Sequence, residues 1–236
     1  MKPEEFSRNV RPSVLSNKNF NKIFVIGYNK TGTTTMERVL RLYGYSMPQQ
    51  QEQEARLTKQ VFRTNYEEFV SFVRRYDAFQ DLPFSQEQTY VVADALFPNS
   101  KFILTERDSE KWFSSMSNFT KKLFNIDDLE NLTEKDLITK FRYLFPGYLH
   151  SNHQRILTNF KKGVQSETQW NKLFDKSYYI KMYEERNNQI KKYFMGMPGK
   201  LLVLDISEED NTSSICRFLN IPRELVVGMP HENKSS

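Results

Sequence analysis

The stretch Gly27-Tyr28-Asn29-Lys30-Thr31-Gly32-Thr33-Thr34-Thr35 has the residue types needed to hold an anion. A strand expected at 22–26, carrying the apolar run Ile23-Phe24-Val25-Ile26, leads into it, and a helical pattern leaves it with Met36, Val39, Leu40 and Tyr43 on one face. A strand turning through glycines into a helix aims backbone N–H groups and the positive end of the helix dipole at one point, and Lys30 adds an ammonium. That combination suits a phosphate. Both glycines have the spacing of the nucleotide-triphosphate loop G-x-x-x-x-G-K-[ST], but Thr33 stands where that loop has its lysine and Lys30 lies inside the loop. The displacement favours a different phosphate arrangement over a triphosphate with magnesium. The plainer alternative is a glycine turn whose threonines cap a helix.

Elements that could position such a loop recur along the chain. A helix is expected at 66–76, then a short segment at 78–80 leading to Asp81-Leu82-Pro83-Phe84, where proline disfavours helix. A helix at 86–96, stopped by Pro98, precedes a buried strand at 101–105 and a helix at 109–124 with Asp108 or Ser109 as its cap. The middle, from Leu129 to Phe194, reads as helical and rich in aromatics. After Pro198-Gly199 come a last strand at 200–205 and a short helix at 212–219. Strands separated by helices predict an α/β fold, helix-rich, with a central parallel sheet in a three-layer α/β/α arrangement. Ligands bind such sheets at the carboxyl ends of the strands. Residues 1–21 are polar and expected as an arm, with residues 22–236 as one domain.

Composition narrows the function classes. The 236 residues are 38% hydrophobic and 14% aromatic, which is enough for a core. No stretch approaches the roughly 20 apolar residues that cross a bilayer, and the opening MKPEEFSRNV lacks the apolar run of a signal peptide. The chain is therefore expected to be cytoplasmic and without stable membrane insertion. The net charge of +5 comes from basic residues interspersed with acids, which argues against a nucleic-acid partner. The one cysteine, Cys216, excludes an intramolecular disulfide and reads as a buried small hydrophobe. His150 and His153 could share a helix face, but no third ligand accompanies them. They read as a polar surface pair, with no metal site. The run Gln49 to Gln53 reads as an exposed helix or loop.

With these residues in view, Asn29-Lys30-Thr31-Gly32-Thr33-Thr34 resembles the 5′-phosphosulfate loop, P-K-[ST]-G-T-T, of sulfotransferases that use 3′-phosphoadenosine 5′-phosphosulfate (PAPS). Asn29 replaces the proline. Phe97 to Asp108, followed by Trp112-Phe113-Ser114-Ser115, resembles the family's strand ending in R-[DN]-P with a serine on the next helix. Ser109 replaces the final proline. Gln80-Asp81-Leu82-Pro83 lies where many members carry a histidine before Leu-Pro, and the C-terminal run is similar to a divergent, mostly prokaryotic branch closing in P-H-x-N. The family's R-K-G-x-x-G-D-W-K segment is missing, leaving Lys161-Lys162-Gly163 or Asn233-Lys234 as substitutes.

The resemblance implies a P-loop-like fold and transfer of a sulfuryl group from PAPS to a hydroxyl or amine, with adenosine 3′,5′-bisphosphate as product and no metal required. It implies that Asn29, Lys30, Thr31, Gly32, Thr33, Thr34 and Thr35 hold the 5′-phosphosulfate, with Lys30 also catalytic. Arg107 and Ser115 would hold the 3′-phosphate, and Asp81 would be the base. For Asp81 that role requires burial to raise its proton affinity against the lowering effect of Lys30. The region 129–195 would face the acceptor, a small molecule or a carbohydrate. Two other readings stay open. One is a magnesium-nucleotide kinase or NTPase, using the Leu201-Leu202-Val203-Leu204-Asp205 strand and Thr34. The other is a non-catalytic nucleotide-binding relative.

Overall fold

The computed structural model describes residues 3–161 and 164–230, with 159–161 and 164–166 by backbone alone. The chain runs α1 (Pro3–Ser16), β1 (Ile23–Val25), α2 (Thr33–Leu42), α3 (Gln50–Phe62), α4 (Tyr66–Val73), β2 (Ala78–Phe79), α5 (Thr89–Leu96) and β3 (Lys101–Glu106). It continues through α6 (Ser109–Phe124), α7 (Glu134–Thr139), α8 (Tyr148–Leu157), β4 (Thr158–Lys161), β5 (Val164–Thr168), α9 (Lys176–Tyr193), β6 (Leu201–Asp205) and α10 (Ser213–Phe218). Two compact units result: residues up to Arg107 together with those from Asn187 onward, and residues 108–186.

The first unit is built on a four-stranded sheet in the order β2-β1-β3-β6. All its pairings are parallel, with Ile23 opposite both Ala78 and Lys101, and Glu106 opposite Asp205. Parallel pairs are joined by crossover helices, which is why the strands alternate with helices in sequence. Side chains alternate between the two faces. Ile23, Val25, Ile103 and Leu204 pack with Met36, Val39, Leu40 and Tyr43 of the α2 segment and with Ile215 and Cys216 of α10. On the other face Phe24, Ile26, Phe102 and Leu104 meet Leu57, Phe69, Phe72, Ala93, Ile190 and Phe194. The Phe24 ring has those of Phe79, Phe84, Phe97 and Phe102 within 5.1–6.1 Å. Both faces being covered gives the expected three layers around a parallel sheet.

The expected arm is instead a helix. Phe6, Val10 and Val14 fall on one side of α1; Val10 and Val14 are buried, and Phe6 packs on the same core. Ser7 Oγ donates to the Arg41 carbonyl at 3.0 Å, and the Arg11 guanidinium donates to the Gly44 carbonyl. Leu15 packs there too, and these apolar side chains dock an otherwise polar segment. The helix expected from 86 begins only at Thr89, because Ser85 N–H bonds back to the Asp81 carbonyl (3.0 Å) and a turn occupies the residues between.

The second unit contains α6, whose N-cap Asp108 accepts from Lys111 N–H at 2.9 Å, and α7, closed by a capping box from Thr133 and Asp136. Its expected all-helical character is interrupted by the antiparallel pair β4–β5, across which the Thr158 and Thr168 hydroxyls bond at 2.9 Å. Trp112 stacks on Tyr183 at 4.2 Å. His153 is buried and not on the surface. Its Nδ1 lies 2.8 Å from the Tyr179 hydroxyl, and burial pushes its pKa down to about 4, so the ring is neutral at physiological pH. His150 is instead 2.8 Å from Glu134 and stacks on Trp170.

Candidate active site

The chain passes from β1 outward to β2 and then crosses to β3 on the other side of β1, so the carboxyl ends of β1 and β3 flank a topological switch point. Three segments singled out in the sequence begin at the carboxyl ends of these three neighbouring strands. The loop at 26–32 leaves β1, Gln80 and Asp81 leave β2, and Arg107 leaves β3.

The loop is braced from behind. Thr31 is buried, and its hydroxyl donates to the Tyr28 carbonyl while lying 2.7 Å from the Thr105 hydroxyl of β3. With the Thr31 hydrogen used on Tyr28, Thr105 supplies the second one. A Cβ on Gly27 would lie 2.1 Å from that same Thr105 oxygen, so only glycine lets the loop pass there. Lys30 has φ 71°, and Gly32, at φ 96°, is the N-cap of α2. Gly32 offers no side-chain acceptor to the first N–H groups of α2, which are left to an outside acceptor. Thr33 and Thr35 are buried, whereas Thr34 is exposed.

Asp81, at φ 60°, is 9% exposed. Its Oδ1 accepts from Leu82 N–H at 3.0 Å and, at 3.5 Å, from the Ser85 hydroxyl. Burial pushes its pKa up from 3.8 to about 6, against the Leu82 and Ser85 bonds and the Lys30 charge, which lower it, while Glu37 raises it. Around it lies a network that sequence reasoning missed. Gln50 Nε2 donates to Glu54 Oε1 (2.8 Å) and Asp81 Oδ2 (3.4 Å). Gln53 Nε2 clamps the Gln80 and Leu82 carbonyls at 2.6 Å each. Gln80 Nε2 donates to Glu37 Oε2 (3.1 Å), whose other oxygen is paired with Arg41 Nε (2.8 Å). Burial, with the Asp81 charge adding to it, pushes Glu54 up to about 7. The signal was available: Gln50, Gln53 and Glu54 have the i, i+3, i+4 spacing of one helix face, the first two within the run Gln49 to Gln53 that reads as exposed and Glu54 just after it.

Arg107 is half-buried just past β3. Ser115 is half-buried on α6, in the other unit, so its assignment stands on the sequence pattern. Asp205, at the end of β6, accepts from Ser207 N–H (2.8 Å) and Oγ (2.6 Å), capping the turn that follows. Cys216 is buried with Sγ 3.1 Å from the Tyr43 hydroxyl. The Lys162-Gly163 pair and Asn233-Lys234 lie outside the described residues, as does the closing His231. Among the described residues no group of three His, Cys, Asp or Glu could hold a metal ion, and no helix is long and apolar enough to cross a membrane.

A family model described as a sulfotransferase domain matches residues 22–236, and the chain belongs to that family. Sulfuryl transfer is therefore its general chemistry. No curated protein matches it.

Proposed function

We propose that this chain transfers the sulfuryl group of PAPS to a hydroxyl or amine of a small-molecule or carbohydrate acceptor. The observation carrying this reading is the arrival of the Lys30 loop, Asp81 and Arg107 at the carboxyl ends of three adjacent parallel strands. The residues there fit an anionic donor: uncapped N–H groups open α2, Lys30 adds a positive charge, and Arg107 provides a fork of donors. PAPS, when bound, supplies a sulfuryl group activated by its phosphate leaving group.

The loop from Asn29 to Thr35 holds the 5′-phosphosulfate through its backbone N–H groups. Lys30 neutralises charge on the leaving phosphate oxygen, an interaction stronger in the transition state than in the ground state. Asp81 takes the acceptor's proton. Its buried setting makes it a better base than a solvated aspartate, and the nearby Lys30 charge keeps a useful fraction ionised at neutral pH. Arg107 grips the 3′-phosphate, a role the family pattern shares with Ser115. The region 129–195 selects the acceptor. A single buried cysteine suits a reducing compartment such as the cytoplasm.

The test is calorimetric titration with adenosine 3′,5′-bisphosphate, compared with ADP and ATP with and without magnesium, in wild type and Arg107→Ala. Metal-independent binding of the bisphosphate that is lost without Arg107 is expected. No bisphosphate binding, alongside magnesium-dependent ATP binding, would overturn the assignment in favour of phosphoryl transfer.

A further inference from the structure

Asp81 Oδ1 takes the Leu82 N–H and, at 3.5 Å, the Ser85 hydroxyl, but the side-chain amides around Asp81 Oδ2 and Glu54 are few for the acceptors they serve. Gln53 spends both amide hydrogens on the Gln80 and Leu82 carbonyls, and Gln80 spends its pair on Glu37 Oε2 and, at 3.3 Å, Gln50 Oε1. Gln50 divides its own between Glu54 and Asp81. Against these stand three carboxyl groups and the Gln80 side-chain oxygen, which is buried and receives no donor among the described residues. Glu54 and Asp81 are 6% and 9% exposed, so water relieves little of the deficit. Two full negative charges held this close, bridged by one amide, are costly in such a setting. A proton retained on the pair reduces the repulsion and adds one donor to the network.

We propose that Glu54 is the positioning residue of Asp81: Gln50 ties the two carboxyls into one titrating unit, and ionisation of Glu54 strengthens the pull of Asp81 on the acceptor's proton. This inference rests on the reading of Asp81 as the base. Burial is the main reason that Glu54 keeps its proton, and the Asp81 charge adds to it; coupling between two charges is reciprocal, so a charge on Glu54 acts back on Asp81 through the shared Gln50 amide. The other charged groups facing the pair are Lys30 from the loop, which opposes proton uptake at Asp81, and Glu37 from α2, which favours it and is itself paired with Arg41. Neither bridges the two carboxyls as Gln50 does.

The experiment is carbon-13 NMR titration of carboxyl-labelled aspartate and glutamate in the full chain, comparing wild type with Asp81→Asn, Glu54→Gln and Glu54→Asp. In wild type the pair should titrate in two linked steps. Asp81→Asn should lower the Glu54 step by about one pH unit, the coupling expected of groups that titrate together. Glu54→Gln should leave a single Asp81 step, and Glu54→Asp, which keeps the charge, should restore two. An unchanged Glu54 titration in Asp81→Asn overturns the pairing. Turnover, measured as bisphosphate release from PAPS with a mixture of phenol, alcohol, sugar and amine acceptors, separates the two ideas. Uncoupled titration with an inactive Asp81→Asn refutes the pairing alone. Coupled titration with an Asp81→Asn enzyme as active as wild type refutes the base assignment, and the proposal with it.

Discussion

Replacing Asp81 by asparagine should abolish most turnover and yet stabilise the fold at neutral pH. Unfolded, this carboxyl titrates near 3.8; folded, burial holds it at about 6. Between those values the folded chain binds more protons than the unfolded one, so stability falls as pH rises through that window, and above it the whole penalty is present. At about 1.4 kcal/mol per pH unit, the rise from 3.8 to about 6 costs about 3 kcal/mol. Asparagine cannot ionise and escapes that cost. Its carbonyl can still take the Leu82 N–H, but its amide meets the Gln50 Nε2 donor, a mismatch worth about 1 kcal/mol. The net expectation is a variant about 2 kcal/mol more stable than wild type at about pH 8, and equal to it or slightly weaker at about pH 4. Urea unfolding of both proteins at the two pH values measures it. A stability difference that does not change with pH would refute the reasoning, because it would mean that the Asp81 carboxylate loses no solvation on folding.

Gly32→Ala forces an L side chain to φ 96° with its Cβ 2.9 Å from Ile206, and should cost about 2 kcal/mol in urea unfolding together with weakened bisphosphate binding. Thr105→Val keeps the wall beside Gly27 but leaves the Thr31 oxygen without its donor, so a loss of about 1 kcal/mol is expected, read from the shift of the denaturation midpoint. Lys30→Ala should lower kcat by at least about a hundredfold with a smaller change in bisphosphate affinity, whereas Arg107→Ala should chiefly weaken that affinity. Equal effects of both variants on both parameters would count against the division of roles.

Where order in the chain is set by near neighbours, it could be read before folding. The run at 22–26 and the Met36, Val39, Leu40, Tyr43 face announce a strand and the helix after it. The strand at 101–105, the Asp108 cap and the last strand all declare themselves through periodicity and capping chemistry, which act over a few residues. The parallel three-layer sheet follows from their alternation. The docking of α1 was hidden because a few apolar side chains among polar ones make a weak pattern until Tyr43 and the Arg41 and Gly44 carbonyls stand opposite them. The β4–β5 pair was hidden because an antiparallel ladder depends on a partner strand. His153 reads as a surface residue until Phe174 and Tyr179 close over it.

The same division runs through the candidate site. Sequence alone placed the glycines, Lys30 and Thr31 in a loop between a strand and a helix that opens at Thr33, since that geometry is local, and put Arg107 near a strand end and Asp81 after the short segment at 78–80. Only the tertiary structure decided what surrounds them. Thr105 braces Thr31 because the parallel register of β1 and β3 sets it behind the loop. Gln50, Gln53 and Glu54 enclose Asp81 because packing of α3 brings its polar face to the end of β2. A side chain's type travels with the sequence, but its solvation and its charged neighbours come from segments far along the chain, and these set the proton affinity of Asp81.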